Sequence, residues 1–165
     1  AGAFHPLESE RLALRAGARC SPSRLRALGV AALRELHEEA GISVGAPHIL
    51  PPATGILPFR PDLSRLRFLA RAVTPPGMVR RFDTRFFTLF ADEAGIDPAG
   101  ARASHELEDL RWVDIFDPSG LDMPDITVLI LEELRKCLEE DASLPFGRAG
   151  PFYHVRHGRF VRDLL

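Results

Sequence analysis

The chain has 165 residues, of which 45 % are hydrophobic and 27 % are charged, and its formal net charge is −2. This length suits one domain with a single hydrophobic core, and the composition is that of an ordinary globular protein. The near-neutral charge predicts no affinity for nucleic acid or anionic membranes, and no apolar run approaches the roughly 18 residues of a membrane-spanning helix.

Cysteine usage indicates a reducing environment. Cys20 and Cys137 are the only two cysteines, too few for a disulfide framework, and their spacing fits no zinc site. We therefore expect reduced thiols in a cytoplasmic protein.

The first predicted element is a helix that starts after an Arg- and Ala-rich loop, residues 1–20. Ser21 and Pro22 form an N-cap followed by proline at the first helical position, and Gly41 stands where a left-handed C-cap belongs. The apolar residues of this helix fall within one arc and comprise Leu25, Ala32, Leu33, Leu36 and Ala40. Three glutamates lie on another side of the same helix.

Short extended segments follow the helix. β-Branched and aromatic content predicts strands at Ile42–Val44, His48–Leu50, Leu66–Val73, Thr84–Phe90 and Leu110–Val113. Four prolines between Leu50 and Leu66 predict a loop, and residues 74–80 predict a hairpin connection.

A second amphipathic helix is predicted over 125–140. Its apolar residues, which we expect to face a core, are Ile126, Leu129, Ile130, Leu134 and Leu138. The tail, residues 152–165, predicts a hairpin whose turn contains His157-Gly158. Strands and helices in this order predict an α+β fold.

The string Arg34-Glu35-Leu36-His37-Glu38-Glu39-Ala40-Gly41-Ile42 carries the strongest functional indication. Positions i, i+3 and i+4 share one side of a helix, so Glu35, Glu38 and Glu39 converge. Adjacent carboxylates repel one another, and a hard divalent cation such as Mg²⁺ relieves that repulsion. Three helical glutamates alone are most often a solvated face. The Arg-Glu-aliphatic start and the Gly-aliphatic end of this string favour a site instead.

This string resembles the end of the Nudix box, R-E-U-x-E-E-x-G-U, in which U is a bulky aliphatic residue. A chance match in a chain of this length is on the order of one in ten thousand. The resemblance implies a single Nudix-type domain over 1–165, an α/β/α sandwich with a mixed central sheet, whose Nudix helix is 21–41. It implies catalytic roles for Arg34, Glu35, Glu38 and Glu39, with the three glutamates binding Mg²⁺ or Mn²⁺.

The front half of the box departs from the family pattern. The first glutamate should stand at Arg26 and the glycine at Cys20. A similar departure occurs in the subgroup of the mammalian peroxisomal coenzyme A diphosphatase and its bacterial relatives, where an insertion separates the two halves. Resemblance to that subgroup extends to Thr74–Pro76, Arg81–Phe87 and Glu106–Val113.

The subgroup resemblance also carries an expectation about the start of the chain. Residues 1–20 look like the tail of the insertion, so we expect an upstream segment that holds the missing box residues and the early strands.

The implied activity is hydrolysis of a diphosphate linkage in a small-molecule nucleoside diphosphate derivative, with coenzyme A or acyl-coenzyme A as the first candidate. A homodimer is compatible with the resemblance. Two other interpretations stay open: a non-catalytic Nudix module that binds a nucleotide or metabolite, and a scaffold with a charged helix.

Secondary candidates are weighed against plain structural roles. Glu106 lies six residues before Trp112, where many Nudix enzymes place a loop carboxylate, and His105 and Glu108 compete with it. Arg81 and Arg85 either bind phosphate or pair with surface acids such as Asp83. His37 is expected on the exposed helix surface and Trp112 in the core. The aromatic residues of the tail either line a nucleobase pocket or pack a hairpin, with packing preferred; they are Phe152, Tyr153, His154 and His157.

Overall fold

The computed structural model describes residues 21–48, 57–102, 110–118, 120 and 122–165. These residues form two compact units. The first comprises 21–48, 57–66, 89–102 and 110–111, and the second comprises 67–88, 112–118, 120 and 122–165. Both units combine helical segments with strands, so the fold is α+β as predicted. In the part of the chain described, no helix is long and apolar enough to cross a membrane.

Helix α1, Pro22–Ala40, opens the first unit and confirms the predicted caps. The Ser21 Oγ accepts the backbone N–H of Arg24 at 3.3 Å. Gly41 ends the helix with φ +68°, and its N–H donates to the His37 carbonyl at 2.9 Å. Of the predicted apolar arc, Leu25, Leu33 and Ala40 are buried, and the other two residues are half-buried.

A short antiparallel pair follows, and it corrects two predictions. Strand β1 is Gly45–Pro47, so the strand predicted at Ile42–Val44 is wrong: Val44 is buried, but pairing begins one residue later. Its partner β2, Phe59–Pro61, lies within the segment predicted to be a loop. His48 follows β1 without strand geometry, and residues 49–50 of the strand predicted at His48–Leu50 lie outside the described residues.

Gly45 explains why the pair forms where it does. Its φ is +136°, and a Cβ at this position would lie 2.0 Å from the Arg60 carbonyl oxygen. Only glycine permits such a close approach of two backbones in this conformation.

The second unit is built on a four-stranded sheet of order β4-β3-β5-β6. Strand β3 is Arg67–Val73, β4 is Asp83–Thr88, β5 is Pro151–Arg156 and β6 is Arg159–Leu164. Strands β3 and β5 are parallel and the other two pairs are antiparallel, which confirms a mixed sheet. The predicted β3 and β4 are correct to within two residues at each end.

Helix α2, Asp125–Glu140, has the predicted bounds and packs against β3. Its buried residues are Ile130, Glu133 and Cys137, so the buried face is rotated from the predicted one. We attribute this to an ion pair with one buried partner: the exposed Arg162 of β6 donates to the buried Glu133 carboxylate at 3.0 Å, which keeps a charged residue on the sheet side of the helix. The remaining predicted core residues of α2 are half-buried: Ile126, Leu129, Leu134 and Leu138.

The terminal hairpin confirms its prediction. His157 and Gly158 have φ of +50° and +73°, the positive values at both central positions that a two-residue type I′ turn requires.

The strand predicted at Leu110–Val113 is wrong. These residues have no strand geometry, and Trp112 is 70 % exposed, so its predicted core position is also wrong. Apolar content alone does not make a strand, because the backbone also needs a ladder partner for its N–H and C=O groups.

Candidate functional site

The candidate site begins with the last two turns of α1. Glu35, Glu38 and Glu39 are all exposed on the helix that Gly41 terminates. Their spacing of three and four residues puts their Cα positions on one side of the helix. Solvent and small cations therefore have access to all three carboxylates.

Arg34 ties two of these glutamates together. Its Nη2 lies 2.5 Å from the Glu35 Oε1 and its Nε lies 3.6 Å from the Glu38 Oε2. The hydrogen bond to Glu35 first, and the charge of Glu38 second, raise the pKa of the Arg34 guanidinium above its usual value. Arg34 thus restricts the rotamers of both carboxylates while it offsets part of their mutual repulsion.

The donor set fits a hard divalent cation in its chemistry. Carboxylate oxygens are the ligands that Mg²⁺ and Mn²⁺ favour, and Mg²⁺ commonly uses one or two carboxylates with retained waters. Within the described ranges, no group of three His, Cys, Asp or Glu side chains is positioned to hold a metal ion together. The fit therefore rests on one or two glutamates of α1 with water and substrate oxygens as the other ligands.

A small polar cleft lies at the C-terminal end of α1. It is lined by Gly41, Ile42 and Ser43 on one side and by the turn Gly95–Asp97 with Gly100 on the other. The Ala40 carbonyl at this helix end accepts the N–H of Arg102 at 2.9 Å. None of the three glutamates lines this cleft.

His37 is half-buried and has a structural role. Its Nδ1 lies 3.1 Å from the Ser43 Oγ, and its ring meets Phe59 edge-on with 5.3 Å between centroids. The expectation of an exposed surface residue is corrected by these contacts, which connect α1 to β2.

The two arginines proposed for phosphate binding lie in different environments. Arg81 is exposed in the segment before β4. The Arg85 side chain is only 4 % exposed, and its Nη1 lies 3.4 Å from the Asp83 Oδ1. For Arg85, the structure thus shows the pairing with Asp83 that the sequence offered as the alternative to phosphate binding.

Sequence reasoning missed a polar row on one face of the second unit's sheet. Arg71 of β3 donates from Nε and Nη2 to the two oxygens of Asp83, both at 2.8 Å. The Arg71 guanidinium lies 4.4 Å from the centroid of the Phe152 ring. The His154 ring stacks on the same Phe152 ring, with 4.3 Å between the centroids. The available indication was that Arg71 lies in the predicted strand Leu66–Val73 and that Asp83 directly precedes the next predicted strand, Thr84–Phe90.

The polar row ends on β6, where the aromatic residues of the tail make contacts within the terminal hairpin. His154 Nε2 donates to the Asp163 carboxylate at 2.8 Å. Tyr153 is buried and stacks with Phe160, and His157 forms the exposed hairpin turn. Within this unit, these contacts agree with the preferred interpretation of a packed hairpin.

The loop carboxylate Glu106 and its competitors His105 and Glu108 fall outside the described residues. Cys20, the position expected for the glycine of the box, does so too. Arg26 lies in α1 two turns before Arg34, and it brings a guanidinium rather than a carboxylate to that position.

Comparison with known proteins found no relative. No protein-family model, no curated protein and no solved structure matches the chain.

Proposed function

We propose that this protein is a Nudix-type hydrolase with the α/β/α sandwich of that family, which cuts a diphosphate linkage in a nucleoside diphosphate derivative. The observation that carries the proposal is the arrangement at the end of α1. There, one arginine bridges two of three clustered glutamates directly before a left-handed glycine cap.

Each residue of this arrangement has a proposed task. Glu35, Glu38 and Glu39 are the proposed carboxylates, of which one or two would bind Mg²⁺ or Mn²⁺ at a time, and Arg34 orients Glu35 and Glu38. When bound, the metal neutralises charge on diphosphate oxygens and lowers the pKa of a bound water. Glu106 is the proposed further carboxylate for metal binding or proton removal. Arg81, the exposed one of the two arginines, is the proposed phosphate contact.

The proposed substrate is coenzyme A or an acyl-coenzyme A, because the strings Arg81–Phe87 and Glu106–Val113 resemble the coenzyme A diphosphatase subgroup. This step rests on similarity of motifs and not on a pocket. A cytoplasmic location is proposed from the expectation that both cysteines are reduced.

A second candidate is a Nudix module that binds such a molecule without cutting it. Arg26 favours this candidate, since a guanidinium replaces the first glutamate of the box and removes one potential metal ligand.

A substrate panel distinguishes the two candidates. Coenzyme A, acyl-coenzyme A, ADP-ribose, NADH and diadenosine polyphosphates are each incubated with the protein and Mg²⁺ or Mn²⁺, and the phosphate-containing products are identified by mass. The hydrolase predicts metal-dependent cleavage within the diphosphate that EDTA abolishes. Saturable binding of a panel member without cleavage would support the module instead. If no panel member is cleaved or bound, both candidates are contradicted.

A further inference from the structure

The outward side of α2 is the strongest candidate for an interaction surface, and all of its residues belong to the second unit. The helix turns Ile130, Glu133 and Cys137 inward. Val128, Glu132 and Arg135 are spaced by four and three residues, so they follow one stripe on the opposite side of the helix.

An apolar groove runs beside this stripe. It is lined by Ile115, Pro118 and Met123, which precede α2, and by four residues of α2: Val128, Leu131, Glu132 and Arg135. Phe116, which follows Ile115 in the chain, is 55 % exposed, and Val128 is 37 % exposed. Aromatic and aliphatic side chains left open in this way are typical of the core of a protein–protein interface.

The two charged residues of the lining point to a second copy of the chain as the occupant. Glu132 and Arg135 carry opposite charges one helical turn apart, and Arg135 is engaged only weakly, at 3.9 Å from Glu139. A two-fold axis perpendicular to α2, passing between Glu132 and Arg135, would pair the α2 helices of two copies antiparallel. Glu132 of each copy would then face Arg135 of the other copy. This stripe is self-complementary, which is the requirement for an isologous interface.

We propose that the chain forms a two-fold homodimer through the outward side of α2 and the adjoining groove. Each dimer contains the Glu132–Arg135 contact twice, around apolar surface contributed by both grooves. The proposal is independent of the hydrolase activity, because it uses no residue of the candidate site.

Charge reversal tests this geometry. The variants Glu132→Arg and Arg135→Glu each bring like charges together at both contacts, so each should weaken self-association roughly tenfold or more. Mixing the two variants restores both contacts in a heterodimer, and so does the double variant Glu132→Arg/Arg135→Glu. Arg156→Glu, a reversal at an exposed position of the terminal hairpin, is the matched control and should dimerise like the unaltered protein.

Mass is measured by light scattering on a size-exclusion column over a concentration series, with circular dichroism to check folding. The expected result is twice the 18.3 kDa chain mass for the unaltered protein, the control, the double variant and the mixture, and a shift towards monomer for each single variant. A monomer at every concentration, or single variants that dimerise as tightly as the unaltered protein, would overturn the proposal. If a single variant fails to fold, the double variant decides: a folded monomer overturns it and a dimer supports it.

Discussion

Gly41 closes α1 in a conformation that side-chain-bearing residues avoid. Its φ is +68°, and the nearest atoms to an added Cβ, those of Arg102, lie 3.8 Å away. The space is open, so the penalty for a side chain comes from the backbone conformation alone.

We therefore expect Gly41→Ala to lower the free energy of unfolding by about 1 kcal/mol. Urea unfolding followed by circular dichroism measures the change. Gly100→Ala is the matched control, because no atom lies within 4 Å of its Cβ position and its φ is not in the left-handed region. Equal stability of the two variants would show that a side chain at position 41 does not strain the backbone.

Cys137 is buried on the sheet side of α2, and burial is the largest reason that its thiol pKa is raised. A thiolate is the reactive form, so alkylation of this residue should be slow in the folded protein. In a Cys20→Ser variant, iodoacetamide at pH 8.5 should modify the remaining thiol at least tenfold faster in urea than in buffer. Equal rates in urea and in buffer would contradict the burial of this side chain.

The same shift makes stability depend on alkaline pH. The unfolded chain releases the thiol proton at a lower pH than the folded chain, so the folded state binds more protons above the unfolded pKa. The contribution of Cys137 to stability is thus complete below the unfolded pKa and is lost as the pH rises from there through the higher folded pKa. Cys137→Ala should flatten this decline in a series of urea unfolding curves.

Among the secondary-structure elements, the polar row connects all four strands of the mixed sheet. Arg71 donates to both carboxylate oxygens of Asp83, and its guanidinium also lies over Phe152. Its side chain therefore contacts both neighbouring strands, β4 and β5. A lysine ammonium cannot reproduce the two parallel hydrogen bonds.

Arg71→Lys should therefore lower the free energy of unfolding by about 1 kcal/mol, the net value of a typical hydrogen bond. Thermal unfolding compares it with Arg159→Lys, an exposed position at the start of β6 that should change little. If Arg71→Lys leaves the melting temperature at that of Arg159→Lys, the fork adds no stability to the sheet.

Elements with local signals were predictable from the sequence. Ser21-Pro22 and Gly41 gave the bounds of α1 because capping depends on a few adjacent residues, and His157-Gly158 gave the hairpin turn for the same reason. The β1–β2 pair escaped prediction because three-residue strands with prolines show no alternation, and its position depends on the close approach at Gly45. The buried side of α2 was not predicted correctly because the Arg162–Glu133 pair joins residues that are 29 positions apart in the sequence.

At the scale of the whole molecule, the sequence indicated the helix of the candidate site but not the contacts of its side chains. The motif grouped Arg34 with the three glutamates without specifying contacts, and the structure shows Arg34 bridging Glu35 and Glu38. The Arg71–Asp83 fork required knowledge of which strands pair and in what register, and no local pattern contains that information.

The central claim is that the glutamates of α1 carry metal-dependent hydrolysis. An amide keeps the shape of a glutamate but cannot provide the negative charge that holds a divalent cation. Glu38→Gln and Glu39→Gln should therefore reduce turnover with Mg²⁺ by roughly a hundredfold or more, which corresponds to about 3 kcal/mol in the barrier. Glu139→Gln, an exposed glutamate on α2, is the matched control.

The most direct measurement is the steady-state rate of diphosphate cleavage by these three variants and the unaltered protein, with melting temperatures to confirm equal folding. The account predicts that Glu139→Gln keeps the unaltered rate while Glu38→Gln and Glu39→Gln lose it at an unchanged melting temperature. Near-normal turnover by a folded Glu38→Gln and a folded Glu39→Gln would contradict it, because the chemistry would then not depend on the carboxylates of α1.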